Sequence, residues 1–317
     1  MSKFLGIDTS NYTTSVCIYD TENNSVISKR KLLPVKQGEL GVRQSDAVFH
    51  HTVQLADLFD EFDFADDLDA VSVSNRPCDK EGSYFPCFLV GENTGRIIAK
   101  THNIPLYQNS HQQGHIMAAL YSSNHLNLIN QNFIAFHVSG GTTEAVLCSP
   151  DDEKIIKTEN IANSLDLNAG QVIDRIGVKM GLPFPAGKYI DELAQKSLRK
   201  FKIKPFMRNG CPSLSGLQNK CEDMLKNGES KEDIALYCLK FIQTALENMM
   251  LDILKKQGDL PVVFSGGVMS NSIIRKYFTD KYNAVFAEPQ FSTDNAVGTA
   301  ILGAYKYDKT KHNGITT

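Results

Sequence analysis

Leu5-Gly6-Ile7-Asp8-Thr9-Ser10-Asn11-Tyr12-Thr13-Thr14 and Ile134-Ala135-Phe136-His137-Val138-Ser139-Gly140-Gly141-Thr142-Thr143 set the reading of the whole chain. Each stretch is an apolar run that meets a short polar turn and re-enters a segment rich in β-branched residues, the signature of a β-hairpin. In register, Asp8 falls on His137, Ser10 on Ser139, Thr13 on Thr142 and Thr14 on Thr143. Each hairpin extends to a third strand. In the first half the strands are Phe4 to Asp8, Thr14 to Tyr19 and Ser25 to Leu33, and in the second Phe133 to Ser139, Thr143 to Cys148 and Lys154 to Glu159. The pattern predicts an internally duplicated α/β protein of two lobes, residues 1–130 and 131–305.

Working outward, Ser45 to Phe62 carries apolar residues at helical spacing, including Val48, Val53, Leu55, Leu58 and Phe59. Leu68 to Ser74 and Ile104 to Tyr107 read as buried strands, and Gly91 to Lys100 and His111 to Tyr121 as helices. The second half adds a mainly helical insertion over about 168–257, with a loop from Lys202 to Ser215. Strands at Pro261 to Ser265 and Ala284 to Ala287, and helices at Asn271 to Phe278 and Ala296 to Tyr305, complete it. Residues 306–317 read as a polar tail.

Bulk properties narrow the class. The chain has 317 residues, 42% of them hydrophobic and 22% charged, as a folded globular protein requires. A net charge of -3 excludes attachment to nucleic acid by bulk charge alone. Seven cysteines, an odd number with no C-x-x-C pair, fit a reducing compartment. With no apolar stretch of membrane-spanning length and no signal-like start, the expectation is a cytoplasmic protein without a membrane partner.

Three turns suit phosphate. Asp8 to Thr14, Ser139 to Thr143, and Ser265-Gly266-Gly267-Val268 combine hydroxyls or glycines with successive backbone N–H groups, which together cradle an anion. His111-Gln112-Gln113-Gly114-His115 follows Asn109-Ser110, a good helix N-cap. Histidines four apart share a helix face and can reach one ion. A third ligand must come from elsewhere, and His137 and Asp294 are the candidates. The motif is not H-E-x-x-H, so the base of a zinc protease is missing. Lys196, Arg199, Lys200, Lys202, Lys204 and Arg208 form a basic stretch interleaved with Phe201 and Phe206, a candidate nucleic-acid surface. The His50-His51 pair reads as structural.

Seven segments in order resemble the TsaD family, enzymes that place threonylcarbamoyl on adenosine of tRNA. They are Leu5 to Ser10; Asn109 to His115; Val138 to Thr143; Gly170 and Asp174-Arg175 with Gly181 to Gly187; Ser215-Gly216-Leu217; Gly266-Gly267-Val268 with Asn271 and Arg275; and Thr293 to Ala296. The resemblance runs from Phe4 to about Tyr305. It implies a duplicated actin/sugar-kinase/Hsp70-type bilobal fold, with mixed five-stranded sheets flanked by helices. It implies one divalent metal, iron or zinc, on His111, His115, His137 and Asp294. It implies ATP or a carbamoyl-type adenylate held by Ser139, Gly140, Gly141, Thr142 and Thr143, with Asp174, Gly187 and Asp191 at the ribose and Gly266, Gly267 and Asn271 at the adenine. Asp8 and Ser139 take catalytic roles, and tRNA is met through partner proteins of a multi-subunit complex.

Several positions depart from the bacterial pattern and mark a divergent paralogue. Tyr12 and Thr13 stand where an acidic pair is usual, and Thr142 replaces a usual His or Asn. Ala186 replaces a glycine, Gln218-Asn219 replace K-T, and the loop Arg76 to Pro86 is more polar than its G-P-G-type counterpart. The rival readings are a carbamoyltransferase with another acceptor, a nucleotide-binding scaffold subunit and, last, a metalloprotease.

Overall fold

The computed structural model describes residues 2–10, 12–34, 42–62 and 67–312. Asn11 of the first turn and residues 313–317 of the expected tail lie outside them. The chain opens with an antiparallel meander of β1 (Lys3–Ser10), β2 (Thr13–Asp20) and β3 (Ser25–Leu32). It continues through α1 (Gln44–Asp60), β4 (Leu68–Arg76), α2 (Phe88–His102), β5 (Leu106–Ser110) and α3 (His111–Ser122). A second meander follows, β6 (Phe133–Val138), β7 (Thr143–Asp151) and β8 (Ile155–Asn163). Then come α4 (Ala169–Lys179), α5 (Gly187–Ala194), β9 (Met207–Arg208), β10 (Cys211–Pro212), α6 (Ser215–Lys226) and α7 (Lys231–Gln257). The chain closes with β11 (Val262–Ser265), α8 (Ser272–Tyr282), β12 (Val285–Phe286) and α9 (Val297–His312).

The two sheets share one topology. The first has the order β3-β2-β1-β4-β5, and the second, read from its β8 edge, β8-β7-β6-β11-β12. In each, the hairpin is antiparallel, whereas the first strand and the two added through helices run parallel. The duplication is thus an architectural fact: the sheets are mixed and five-stranded, with helices alongside. The strand patterns follow position. Central β1 is buried along Phe4 to Ser10, so it reads as a continuous apolar run. Edge strand β3 carries exposed Ser28, Lys29 and Arg30, which discourage further pairing.

The chain divides into two compact units. One is Met1–Gln131 with Ser149–Glu159 and Thr293–Thr317; the other is Asn132–Cys148 with Asn160–Ser292. Leu5, Ile7, Val16, Val71 and Val73 of the first sheet pack with Leu55, Leu58 and Ala99 to form the first unit's core. In the second unit, α7 is the spine of the core, burying Ile234, Leu239, Ile242, Leu246 and Met249 among others.

This partition corrects the sequence reading at three places. Asp294 and α9, expected in the second lobe, belong to the first unit, because Gly6 and Gly298 let α9 pack directly on β1 and α3. The polar segment from Lys306, read as a tail, continues α9 to His312, tied down by Lys306 Nζ to the Gln108 carbonyl at 2.8 Å. The loop from Lys202 to Ser215 contains the short β9–β10 hairpin.

Candidate metal centre and nucleotide turns

The metal candidates are brought together by local structure. Ser110 ends β5 and caps α3, its hydroxyl accepting from the Gln113 N–H at 3.2 Å while Gln113 Oε1 accepts from the Ser110 N–H at 2.9 Å. This reciprocal capping box fixes the first helical turn and therefore His111. His115 follows one turn later on the same face. Gly114 and Gly298 then allow α3 and α9 to touch backbone to backbone. A Cβ at Gly298 would lie 1.9 Å from the Gly114 carbonyl oxygen, so no larger residue fits that crossing. The contact delivers the Thr293-Asp294-Asn295 turn, just before α9, to the histidine face. Asn295 holds the turn, with Nδ2 donating to the Thr293 carbonyl at 2.7 Å and Oδ1 accepting from the Val297 N–H at 3.0 Å.

The ligand atoms of His111, His115 and Asp294 all lie within 4.8 Å of one another. His115 Nε2 is 2.9 Å from His111 Nε2 and 3.0 Å from Asp294 Oδ1. Two imidazoles and a carboxylate aimed at one point suit iron(II) or zinc better than a hard cation such as Mg²⁺. The surroundings orient each ligand. Asp8, 1% exposed at the end of β1, accepts from His111 Nδ1 at 2.8 Å. Thr13 Oγ1 donates to the other oxygen of Asp294 at 3.4 Å, and Arg30 holds Thr293 Oγ1 and the Asp294 carbonyl. Burial disfavours charge on His111, but Asp8 and Asp294 outweigh it and raise the ring to about 10. Burial likewise acts against the Asp294 carboxylate, yet His111 and His115 hold it well below the usual range. The fourth candidate is His137. It lies on β6 in the second unit, where its Nδ1 is 3.2 Å from Ser265 Oγ.

The second unit holds the glycine turns. Ser139 N–H donates to the Thr142 carbonyl at 2.7 Å, and Ser139 Oγ accepts from the Thr142 N–H at 3.2 Å. Thr143 Oγ1 accepts from the Ala169 N–H at 2.9 Å, pinning the turn to the start of α4. Glycines here fall into two groups. Gly170 and Gly266 are required by packing, for added Cβ atoms would sit 2.6 Å from the Gly140 nitrogen and 2.3 Å from the Val138 oxygen. Gly140, Gly141, Gly187 and Gly267 are different. A Cβ on any of them would meet nothing within 4 Å, and none has a positive φ. Neither packing nor a left-handed backbone requires glycine at these four positions.

The remaining candidates are placed as follows. Asp174 accepts from the Ala186 N–H at 2.8 Å, and burial raises its carboxyl. Both oxygens of Asp191 are engaged by Ser272, at 2.8 Å by the hydroxyl and 3.1 Å by the N–H. Asn271 caps α8 through the Ile274 N–H at 3.1 Å. In the basic stretch, Arg199 pairs with Glu229 and Asp233 and lies 4.9 Å over the Phe201 ring, so it is a structural cation. His51 is fully buried, its Nδ1 2.8 Å from Thr14 Oγ1, and burial pushes the ring down to about 4.

Sequence reasoning missed Thr13, Arg30, Gly114 and Gly298 as shapers of the metal group. In the sequence Thr13 reads as part of the first phosphate turn and as a departure from the family pattern, not as a partner of Asp294. The small residue inside the histidine motif and the glycine four places after Asp294 were the available signals of a close helix crossing.

Comparisons with known proteins agree with this architecture. The profile of TsaD, tRNA N6-adenosine threonylcarbamoyltransferase, matches residues 24–301. The protein of that name from Lactiplantibacillus plantarum is 30% identical over 263 residues, covering 78% of this chain and 71% of the relative. Among solved structures, full-length HypF in its phosphate- and nucleotide-bound form superposes with a TM-score of 0.60 at 13% identity, over 98% of this chain and 55% of HypF. Component A of the Acidaminococcus fermentans (R)-2-hydroxyglutaryl-CoA dehydratase gives 0.58 at 14% identity, over 97% and 100%. These structural likenesses show the shared actin/sugar-kinase/Hsp70-type fold. The profile and the sequence relative go further: the chain is a transferase and belongs to the TsaD family, the tRNA N6-adenosine threonylcarbamoyltransferases.

Proposed function

We propose that the chain moves a threonylcarbamoyl group from its adenylate to adenosine of tRNA, and that it uses one iron or zinc ion held by His111, His115 and Asp294. The observation that carries this reading is the convergence of those three side chains from α3 and the turn before α9, in a chain of the TsaD family. When bound, such an ion acts as a Lewis acid toward a carbonyl or phosphoryl oxygen. The chain's own residues supply the rest. Asp8 keeps the His111 Nδ1 proton and leaves Nε2 for the ion. The backbone of Gly140 and Gly141 faces the adenylate phosphate, with Ser139, Thr142 and Thr143 holding the turn in shape. Asp174 meets the ribose, its second oxygen accepting a hydroxyl hydrogen bond. Gly187 and Gly267 admit the nucleoside against the backbone, while Asp191 and Asn271 act through the start of α8 rather than by direct contact.

In the transfer itself, the exocyclic amine of adenosine forms a bond to the carbamoyl carbon, the carbon–oxygen bond to phosphate breaks, AMP leaves with the electron pair, and the proton lost from the amine nitrogen passes to solvent. Partner proteins bring the tRNA, since this chain carries a net charge of -3 and phosphate contacts dominate RNA affinity. Lys200, Lys202 and Lys204 are the basic side chains proposed to meet tRNA. The reading places the protein in the cytoplasm, and among the described residues no helix is long and apolar enough to cross a membrane. The test is to supply the purified chain with threonylcarbamoyl adenylate, tRNA and the family's partner proteins. Nucleoside mass spectrometry is expected to find threonylcarbamoyladenosine, and its absence under every partner combination contradicts the proposal.

A further inference from the structure

The loop that begins at Arg76, one of the segments that departs from the family pattern, carries a cluster of cations that the account above does not use. Arg76 ends β4, where its backbone pairs with Ser110, the cap of the metal-bearing helix. The following residue is tied to the same helix, the Gln112 N–H donating to the Pro77 carbonyl at 3.0 Å. The loop therefore stands at the carboxyl ends of parallel strands, the edge where sheets of this kind bind ligands. Arg76 donates through one terminal nitrogen to Asp79 at 2.8 Å and through the other to Asn75 at 2.7 Å. Lys154 reaches the second oxygen of Asp79 at 3.2 Å. Asp79 is almost wholly buried, so these two cations already satisfy and outnumber it.

Lys306 makes a third. Its ammonium donates to the Gln108 carbonyl at 2.8 Å, an uncharged partner. Burial, joined by repulsion from Arg76 and Lys154, lowers it to about 8, with Asp79 and Glu153 opposing only in part. Arg76, Lys154 and Lys306 thus share one corner; Asp79 pairs with the first two, Asp151 and Glu153 act on Lys154 and Lys306 without pairing with either ammonium, and Lys306 is held in a half-buried place where its charge is disfavoured. An oxyanion bound here would reduce the repulsion among the three and accept the donors that a guanidinium keeps after binding Asp79 and Asn75.

We propose that Arg76, supported by Lys154 and Lys306, binds the carboxylate of the acyl group being transferred. This rests on the proposed function, because a threonine-derived carbamoyl group carries a carboxylate at the end remote from the reacting carbon. A plain carbamoyl group has none, so the cluster also selects the acyl class. Phosphate has the same recognition chemistry and is the alternative source of the anion.

The test reads binding rather than turnover, using full-length metal-free protein and ¹³C-labelled N-carbamoyl-L-threonine followed by NMR titration. The free acid is expected to bind at least about tenfold more tightly than its methyl ester, as loss of a charge-assisted pair requires. Arg76→Met and Lys306→Met are each expected to abolish that discrimination while thermal unfolding of the protein remains cooperative. Arg76→Lys is expected to restore it only in part. Equal binding of acid and ester, no binding of the acid, or wild-type discrimination in Arg76→Met overturns the proposal. So does inorganic phosphate that binds in an Arg76-dependent way while acid and ester do not differ, which assigns the cluster to phosphate. Acid-over-ester discrimination that persists in a protein unable to modify tRNA keeps the carboxylate site and removes the tRNA acceptor.

Discussion

Asp8 and His111 are joined by one short hydrogen bond, 2.8 Å from Oδ2 to Nδ1, and that bond decides which ring nitrogen is left to meet a metal. With Nδ1–H committed to the buried carboxylate, Nε2 turns toward His115 and Asp294. On the proposed function, this acid of the first turn orients the metal group through His111. Replacing Asp8 by Asn keeps the size and removes the charge that fixes the tautomer. The expected result is metal affinity about 10–100-fold weaker, as for other carboxylate–histidine pairs behind a metal. Competition with a chromophoric chelator measures it, and unchanged affinity in Asp8→Asn excludes the orienting role.

The two kinds of glycine predict opposite behaviour. Gly298→Ala forces a methyl group into the Gly114 carbonyl and is expected to cost about 1–3 kcal/mol of stability, as overpacking does, while also loosening the metal group. Gly141→Ala meets open space and is expected to leave stability within about 0.5 kcal/mol. Its expected loss is in nucleotide affinity, read by calorimetry with ATP or AMP. Asp174→Ala is expected to weaken the same binding by about 1–3 kcal/mol through a lost ribose hydrogen bond. A Gly141→Ala protein that binds nucleotide as wild type does removes that turn from the site.

His51 gives the fold an acid-side weakness. Its folded-state value of about 4 lies below the ordinary 6.5, so the unfolded chain takes up a proton at that ring that the folded chain refuses. The contribution is fully present above pH 6.5 and is lost as pH falls from 6.5 toward 4, amounting to about 2–3 kcal/mol. His51→Gln retains a partner for Thr14 and cannot titrate. Urea unfolding at pH 7.5 and 4.5 is expected to show a smaller fall for the variant, and identical falls contradict burial of a neutral ring.

The basic stretch divides in the same way. Arg199 is paired with Glu229 and Asp233, so Arg199→Glu is expected to cost stability first. Charge reversal at Lys200, Lys202 and Lys204 is expected to leave unfolding unchanged and weaken tRNA binding at low salt, with a shallower salt dependence. Filter binding across a salt series distinguishes the two sets.

Much of this was legible in the sequence, for physical reasons. The recurrence of an apolar strand, a polar turn and a β-branched strand exposed the duplication, because a meander must turn at fixed places between its buried strands. The spacing of His111 and His115 and the Ser110 cap gave one face of α3. What the sequence could not carry were contacts made by tertiary approach. Asp294 joins the first unit only because Gly6, Gly114 and Gly298 let α9 come close, and glycines in a helix pattern do not announce their partner. Thr13 and Arg30 orient Asp294 from far along the chain, and no local pattern marks such pairs. Conversely, Lys306 reads as the beginning of a tail because its segment is polar, yet its ammonium is held against β5.

The central claim is that the His111, His115 and Asp294 group serves threonylcarbamoyl transfer. Its most direct test is nucleoside mass spectrometry of tRNA after reaction with threonylcarbamoyl adenylate and the partner proteins, comparing wild type with Asp294→Ala. Asp294 lines the group and contributes little to core packing, so the variant is expected to fold, to lose bound iron or zinc, and to form threonylcarbamoyladenosine at least about a hundredfold more slowly. Modification that proceeds undiminished in a folded, metal-free Asp294→Ala protein would contradict the account.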